Sequence, residues 1–451
     1  MTTTERYDDI RARLRAGTAR VFTASEFKAL ADTATPEELA RAADVVTVAT
    51  FAPMCSSGVL INFGHDSPPL RMEELSLDGV PAYGGVAAVD AYLGATAELP
   101  GDTEYGGAHV IEALVRGQTV RLHAEGKGTD CYPGRVADAV VARDDLNDFR
   151  FLNPRNVYQN YGAAANSGDT TLSTYLGILA PRLGTVGYAT SGELSPLLND
   201  PELRTVGVGT PVWVAGSVGM VLGPGTQYNP DVELDDAGLP VAGARTLAIT
   251  ADARSADPRF VAAARVSGYG VSLFMGIGLA IPVLDADLAR RLSVRDRDIT
   301  VLVRDYAKPD HPVLLRTNYA DLRAGSVDIQ GVSARTSPSS SLAKARLIMA
   351  ELKAAVLEGR FPIRPPLEAL PDRAGLKGLA KGRPPAPRPE PARSGPAGYA
   401  RSLCVDCGAC VAHCPAGALT IGPPDWVLRY DAGLCDACGA CVPACPRKAF
   451  Q

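Results

Sequence analysis

The chain has 451 residues, enough for two or three domains with a sizeable core. Hydrophobic residues make up 46% of it and charged residues 21%, which is typical of a globular protein. The net charge of −5 argues against nucleic-acid binding. The N-terminal segment is charged throughout, so it resembles neither a secretory signal nor a membrane anchor.

Residues 1–360 are predicted to form an α/β catalytic body. Thr35 begins a capping box with Pro36 at the first helical position, which predicts a helix running to Ala43. The apolar, β-branched run 45–51 predicts a buried strand, followed by a sharp turn at residues 54–58. Cys55 is therefore expected where a strand ends.

Further along the body, residues 119–123 alternate like a strand and lead into the glycine-rich loop 126–135, which holds Cys131.

The uncharged runs 206–230 and 266–284 are long enough to raise the question of a membrane span. Their glycines and prolines favour buried strands joined by tight turns instead. Residues 341–357 have the spacing of an amphipathic helix.

The composition changes at residues 361–398. This segment has ten prolines and seven basic residues against three acidic ones, which predicts a positively charged, semi-extended linker, with polyproline II structure around residues 384–391. Residues 399–451 then form the expected third region, a small α+β ferredoxin-like domain.

Eight of the ten cysteines lie in this last region, in two copies of C-x2-C-x2-C-x3-C-P. The pattern is typical of two-cluster bacterial ferredoxins, in which the fourth cysteine of each run binds the other cluster. Zinc bound by C-x2-C pairs is the alternative, and the duplicated motif with its prolines argues against it. The predicted ligand sets for two [4Fe–4S] clusters are Cys404, Cys407, Cys410 and Cys445, and then Cys435, Cys438, Cys441 and Cys414.

Cys55 and Cys131 are left without a metal motif. A buried cysteine is most often a small apolar residue, but Cys131 lies among charged residues that favour a thiolate, and Cys55 precedes two serines and a glycine. Both are therefore candidate catalytic thiols. Reduced thiolates also indicate a reducing compartment, so a cytoplasmic location is expected.

Four segments carry a resemblance to a known family: MCSSG around Cys55, GTDCYP around Cys131, residues 153–177 and residues 191–201. Together they resemble the homocysteine-biosynthesis family, whose known members are described as L-aspartate semialdehyde sulfurtransferases. The resemblance spans about residues 20–360. It implies that Cys55 and Cys131 serve sulfur transfer, with Cys131 as the expected persulfide carrier.

Many members of this family work with a separate protein that joins a regulatory domain to a two-cluster ferredoxin. This chain carries the ferredoxin motifs itself and shows no regulatory segment. Some relatives are thought to act on other aldehydes, such as sulfoacetaldehyde, so the resemblance leaves the substrate open.

Three further segments hold candidate substrate-binding residues. The backbone amides of the first segment suit a substrate carboxylate or sulfonate, with a simple helix-start turn as the alternative. The second segment is a candidate mainly through the family resemblance, and the third is either part of the pocket or a structural turn. His109 and His123 are candidate proton donors, although a lone histidine more often has a structural role. The candidates are Gly106, Gly107, His109, Arg155, Asn156, Tyr158, Ser191 and Glu193.

The sequence thus predicts a reductive sulfurtransferase that converts a small aldehyde into a thiol. Sulfur comes from sulfide or a persulfide donor, and electrons reach the clusters from an external donor. Cys131 is expected to carry the persulfide and Cys55 to resolve it as a transient disulfide; Cys55 as the sulfur carrier is the alternative. A ferredoxin-linked disulfide reductase and a non-enzymatic electron-transfer subunit are the alternatives, and a homodimer is expected from the size of the body.

Overall fold

The computed structural model describes residues 2–373, 375–377, 379, 381–382, 386 and 390–451. The chain divides into two compact units, Met1–Leu376 and Lys377–Gln451. The eight helices of the described residues are α1 Thr3–Arg15, α2 Ala24–Ala31, α3 Pro36–Ala42, α4 Gly107–Val115, α5 Ala286–Leu292, α6 Tyr319–Arg323, α7 Leu342–Leu357 and α8 Cys441–Ala444.

The first half of the first unit is mainly short strands. They are β1 Val21–Thr23, β2 Val45–Pro53, β3 Gly58–Asn62, β4 Glu74–Leu77, β5 Val80–Tyr83, β6 Asp90–Gly94, β7 Glu98–Leu99, β8 Asp102–Gly106, β9 Val120–Glu125, β10 Val136–Val141, β11 Asp148–Asn156, β12 Ala163–Ala165, β13 Leu172–Thr174, β14 Gly177–Leu179 and β15 Thr185–Tyr188.

The remaining strands continue the first unit and end in the second. They are β16 Gly207–Val208, β17 Pro211–Val214, β18 Ser217–Pro224, β19 Leu247–Asp252, β20 Val261–Val266, β21 Gly270–Pro282, β22 Thr300–Asp305, β23 Val313–Asn318, β24 Ser326–Ile329, β25 Val332–Pro338, β26 Glu368–Ala369, β27 Leu419–Thr420 and β28 Arg429–Tyr430.

Two sheets organise the first unit. Within the described residues, the larger has 14 strands in the order β1-β2-β21-β17-β18-β19-β11-β3-β6-β5-β4-β9-β10, with β20 paired to β21. The smaller has six strands in the order β23-β22-β12-β15-β25-β24. Most neighbours are antiparallel; in the described chain the parallel pairs are β1–β2, β12–β22 and β15–β25.

The body is therefore rich in strand, and the α/β prediction holds only in part. An α/β fold needs a crossover helix between successive parallel strands. Here short turns join antiparallel neighbours such as β9–β10 and β20–β21 instead. The individual elements were better predicted: α3 has the Thr35 capping box, and the runs 206–230 and 266–284 contain β17, β18 and β21.

The longest helix of the body, α7, packs on β2 and β21. Ser341 caps its N-terminus, and Ile348 and Leu352 on it are fully buried. A Cβ atom added at Gly276 on β21 would lie 2.7 Å from Ile348 Cδ1, closer than packed atoms allow. Glycine on β21 thus lets the helix approach the sheet that carries Cys55.

The first part of the predicted linker packs on the body. Phe361, Ile363 and Leu370 are buried in the core of the body, and β26 pairs with β16. The first compact unit therefore extends into the predicted linker, and the domain boundaries given above stay predictions. Most of the predicted polyproline segment lies outside the described residues.

The second unit has a small core of its own. Tyr399, Leu419, Leu428 and Phe450 are buried there beside Cys410 and Cys441, and β27 pairs with β28.

Across the described parts of both units, no helix is long and apolar enough to cross a membrane.

Candidate active site and cluster sites

A cavity of about 320 Å³ lies in the body, where the end of β2 faces segments that adjoin the six-stranded sheet. It is lined by both polar and aromatic side chains. The lining residues are Thr50, Ala52, Pro53, Met54, Cys55, Ser56, Arg155, Asn156, Val157, Tyr158, Tyr161, Tyr175, Ala189, Thr190, Ser195, Pro196, Gln227 and Tyr269.

Cys55 is half-buried in the turn that follows β2, and its thiol lies among hydroxyl groups. Its Sγ is 3.1 Å from the Oγ of Ser272, which is buried. Tyr269 lines the same cavity, and burial, followed by the charge of the Cys55 sulfur, raises the pKa of Tyr269 to about 12. Tyr269 therefore keeps its proton near neutral pH and can donate it to the sulfur.

Arg155 supplies the positive charge of the cavity. It lies near the end of β11, where the pairing with β19 is irregular between Asn153 and Asn156, and its Nε donates to Ser56 Oγ at 3.1 Å. In the described residues no carboxylate lies within ion-pair distance of this guanidinium. Its remaining donors can therefore serve an anionic substrate.

The chain turns sharply directly after Arg155. Asn156 is buried and its Nδ2 donates to Met54 Sδ at 3.2 Å, while its Oδ1 has no hydrogen-bond partner among the described residues. Val157 has a φ of 56°, which a β-branched residue rarely adopts. Backbone strain of this kind concentrates at binding sites. Here it accompanies the turn that brings Tyr158 to the cavity.

Four tyrosines form an aromatic wall around the cavity: Tyr158, Tyr161, Tyr175 and Tyr269. Their rings meet edge to face, with centroids 4.7 Å apart for Tyr158 and Tyr161 and 5.9 Å for Tyr161 and Tyr175. Tyr175 is also fixed from behind, because its hydroxyl lies 2.5 Å from that of Tyr306. The wall is thus held in a defined orientation.

Cys131 lies elsewhere. It is exposed in the loop between β9 and β10, and neighbouring Tyr132 stacks on His65 with ring centroids 5.9 Å apart. His65 follows the C-terminal end of β3, whereas Cys55 precedes its N-terminal end. β3 has five residues, which is about 13 Å of strand, and a disulfide needs Cα atoms within about 7 Å.

The structure therefore does not bring the two predicted thiols together in one chain. The expected disulfide between Cys55 and Cys131 stays a prediction, which this arrangement does not favour. A catalytic role for Cys131 stays a prediction, because its exposed position neither requires nor excludes one.

The glycine-rich segment before α4 has a structural role in this arrangement. A Cβ at Gly106 would lie 2.2 Å from the carbonyl oxygen of Ala97, and one at Gly107 would lie 2.0 Å from that of Gly94. His109 Nδ1 accepts a hydrogen bond from Gly106 N at 3.2 Å. These contacts hold the start of the helix against β6, and none of the three residues lines the cavity.

Ser191 and Glu193 lie beside the cavity rather than in its lining. Ser191 Oγ donates to Thr50 Oγ1 at 2.9 Å, so it supports a lining residue. Glu193 exchanges two hydrogen bonds with Asp296, at 2.9 Å and 3.0 Å. In the same motif, Ser195 and Pro196 line the cavity.

His123 is exposed on β9 and lies between two carboxylates, Glu125 and Asp138, each at 3.2 Å. Hydrogen bonds to Glu125 and then to Asp138 raise its pKa. Like Cys131, it does not line the cavity.

The second unit gathers its cysteines in the two predicted sets. Cys404, Cys407, Cys410 and Cys445 surround one small space, and Cys414, Cys435, Cys438 and Cys441 surround another. Burial, followed by the neighbouring sulfurs, raises the pKa of Cys410 to about 11. Four thiols around one space match the ligands of an iron–sulfur cluster, whose iron supplies the charge that keeps them deprotonated.

Among the described residues, no three Cys, His, Asp or Glu side chains are arranged to hold a single metal ion. The arrangement of the cysteines is instead that of two four-thiol sets. Each set draws its fourth member from the other sequence motif, as the spacing predicted.

Residues 19–363 match the family described as homocysteine biosynthesis enzyme, sulfur-incorporation. The chain belongs to this family. Residues 403–449 match the 4Fe-4S dicluster domain, which identifies the second unit as an iron–sulfur domain. No solved structure matches the chain.

Curated relatives agree with the family match. The chain is 42% identical over 376 residues to the L-aspartate semialdehyde sulfurtransferase of Methanosarcina acetivorans, covering 82% of this chain and 73% of the relative. It is 41% identical over 394 residues to the enzyme of that name from Methanocaldococcus jannaschii, covering 83% and 74%. An uncharacterized protein of Methanothermobacter thermautotrophicus is 27% identical, covering 71% and 72%.

Two residues beside Cys55 were missed in the sequence. Tyr269 lies in the turn between β20 and β21, and Ser272 lies on β21 itself. No local pattern marks them, because the pairing of β2 with β21 over 45–53 and 274–282 is what brings this hairpin to the thiol. Tyr161 and Tyr175 do lie in the family motif 153–177, which offered a signal for them.

Proposed function

We propose that this protein adds sulfur to L-aspartate semialdehyde and reduces the product to the thiol L-homocysteine, with Cys55 as the sulfur carrier. One observation carries the proposal: Cys55 opens into a cavity that also holds Arg155 and, among the described lining residues, no Asp or Glu. Such a cavity suits a small aldehyde that carries a carboxylate. The relatives named above supply the choice of aldehyde.

The first step loads sulfur on Cys55. A persulfide donor transfers its terminal sulfur to the Cys55 thiolate, leaving the donor as a thiol and Cys55 as a persulfide. The hydroxyls of Ser272 and Tyr269 support this step, because they can donate hydrogen bonds to a negatively charged sulfur. This assignment places the persulfide on Cys55 instead of Cys131, the carrier first expected.

The second step forms the carbon–sulfur bond. The terminal sulfur of the persulfide attacks the aldehyde carbon, and the C=O electron pair moves to oxygen, which then takes a proton. Tyr269 is a suitable proton donor, since it contacts Cys55 and is protonated near neutral pH. Arg155 would hold the substrate carboxylate while the aldehyde faces the sulfur.

Reduction completes the reaction. Two electrons and two protons cleave the sulfur–sulfur bond, which frees Cys55; water then leaves the adduct, and two further electrons and two protons give the thiol. From a persulfide donor the total is four electrons and four protons for each thiol and water formed. Sulfide is already reduced and would attack the aldehyde directly, without a Cys55 persulfide; the total is then two electrons and two protons.

The iron–sulfur domain supports this electron demand. Its two cysteine sets would hold two [4Fe–4S] clusters, which when bound supply electrons one at a time. An external reductant must then reload them. The clusters and the carbon–sulfur chemistry are thus parts of one proposal, although they reside in different units of the chain.

The test is an anaerobic assay of the full chain with L-aspartate semialdehyde, an isotopically labelled sulfur donor and a low-potential reductant. Labelled L-homocysteine, formed only when reductant is present, is the expected product. A protein that consumes reductant but places no label in a thiol product would be a disulfide reductase instead.

A further inference from the structure

The charges around the cavity leave one group of the proposed substrate without a partner. L-aspartate semialdehyde carries a carboxylate, an aldehyde and an α-ammonium. Arg155 suits the carboxylate and Cys55 suits the aldehyde, but the described lining residues include no Asp or Glu for the ammonium. An ammonium that leaves water without a compensating partner carries a large free-energy penalty.

The aromatic wall offers such a partner. A cation over the face of a tyrosine ring is attracted by the negative charge of the π system, and several rings can enclose an ammonium group. Tyr158 and Tyr161 meet at an interplanar angle of 70°, and Tyr161 and Tyr175 at 79°. Rings set nearly at right angles present walls on several sides of the same space.

The position of Tyr158 fits the order of groups in the substrate. Tyr158 lines the same cavity as Arg155 and Cys55. In L-aspartate semialdehyde, the carbon that bears the ammonium lies between the carboxylate and the aldehyde. A substrate held by Arg155 at one end and facing Cys55 at the other would pass its ammonium along this ring.

We propose that the rings of Tyr158, Tyr161 and Tyr175 form an ammonium subsite that makes the cavity selective for an amino-acid aldehyde over its desamino analogue. This inference rests on the proposed function, which names the aldehyde. It goes further by assigning the recognition of the amino group to ring faces rather than to a carboxylate.

The test measures binding of two unreactive ligands to the full-length protein by calorimetry. L-homoserine keeps the carboxylate and ammonium of the substrate but has an alcohol in place of the aldehyde, and 4-hydroxybutyrate lacks the ammonium. We expect the wild-type protein to bind L-homoserine about tenfold more tightly. Tyr158→Leu should remove most of that preference, whereas Tyr158→Phe, which keeps the ring, should retain it.

Tyr83→Leu is the matched control, because Tyr83 is 65% exposed on β5 and does not line the cavity. Equal affinity of the wild-type protein for both ligands, or no binding of L-homoserine, overturns the inference without any variant. A preference that survives Tyr158→Leu in a folded protein also overturns it. Loss of the preference in Tyr158→Phe would assign recognition to the hydroxyl and not to the ring.

The same measurements separate this inference from the proposed function. A protein that prefers L-homoserine through Tyr158 but forms no thiol from L-aspartate semialdehyde would keep the subsite and refute the reaction. A protein that forms the thiol but binds both ligands equally would support the reaction and refute the ammonium subsite.

Discussion

Cys55 and Cys131 both follow a strand of the large sheet, yet their surroundings differ. Cys55 is half-buried, contacts Ser272 and Tyr269, and opens into a cavity with a guanidinium. Cys131 is exposed on a hairpin loop with charged neighbours. The chemistry of a thiol therefore depends on the hydrogen-bond donors and the cavity around it more than on its place after a strand.

The largest expected effect is the contrast between serine variants of these two thiols. Cys55→Ser should lower homocysteine formation by at least about a hundredfold, because a serine hydroxyl stays protonated and cannot carry a persulfide. Alkylation and mass spectrometry of the sulfur-loaded protein should find the extra sulfur on Cys55. Cys131→Ser is the paired variant and should keep its persulfide at Cys55.

Both variants should retain their iron, since neither residue belongs to the cluster motifs. If Cys131→Ser lost all activity while Cys55→Ser stayed active, sulfur transfer would have to be assigned to the exposed loop. If both were inactive, the two thiols would act in one reaction despite lying at opposite ends of β3, and a second copy of the chain would become the natural source of Cys131.

The second expected effect concerns the iron–sulfur domain. Cys445→Ala should remove roughly half of the iron of anaerobically purified protein, because Cys445 completes only one of the two cysteine sets. The remaining cluster should bind through Cys414 and its partners. Iron analysis and electron paramagnetic resonance measure this directly.

Cys131→Ser provides the control for iron content, as it changes a thiol outside both sets. Complete loss of iron in Cys445→Ala would mean that the two sites fold together. An unchanged iron content would show that the fourth ligand comes from elsewhere, and the cross-ligation inferred from the spacing would be wrong.

The third expected effect compares Arg155, which lines the cavity, with an exposed arginine on the same strand, β11. Arg155→Gln should raise the KM for the aldehyde roughly tenfold or more, because the substrate carboxylate loses a charge-assisted hydrogen-bonding partner. Steady-state kinetics of thiol formation measure it. Arg150→Gln on the same strand is the control, since Arg150 is exposed and pairs with Asp148.

A KM unaffected by Arg155→Gln would remove the carboxylate anchor from the proposal. A similar loss in Arg150→Gln would point to a general effect of surface charge. A fall in kcat alone would assign Arg155 to the chemical step, for example through its contact with Ser56.

Local features of this protein were readable from the sequence. The capping box at Thr35 and the cap at Ser341 begin α3 and α7, because each depends on side chains within four residues. The structure also groups the cysteines around two spaces in the sets that the spacing of the ferredoxin motif predicts. Their binding of clusters stays a prediction. Arg155, Asn156 and Tyr158 came from the family motif and do line the cavity.

Features that depend on long-range pairing were not readable. Tyr269 and Ser272 reach Cys55 only through the pairing of β2 with β21, more than two hundred positions apart. The strand order of the large sheet likewise decides that the Cys131 loop contacts the segment after β3. The sequence alone predicted that both thiols lie on loops after strands. The strand order of the antiparallel sheet places Cys55 at the cavity and Cys131 on an exposed loop.

The smallest expected effect tests the hydroxyl group beside Cys55. Tyr269→Phe keeps the aromatic wall but removes the hydroxyl near the sulfur. We expect thiol formation to fall about three- to tenfold, in line with about 1 kcal/mol for one lost polar interaction, because water in the cavity can take over as the proton donor.

Tyr306→Phe is the matched control, because it deletes a hydroxyl that bonds to Tyr175 and not to Cys55. Single-turnover kinetics of the sulfur-loaded protein should show the loss in the carbon–sulfur step, where the former aldehyde oxygen takes its proton. A loss confined to sulfur loading would make Tyr269 a partner of the thiolate alone, and equal losses in both variants would mean that the tyrosine network acts by holding the wall in place.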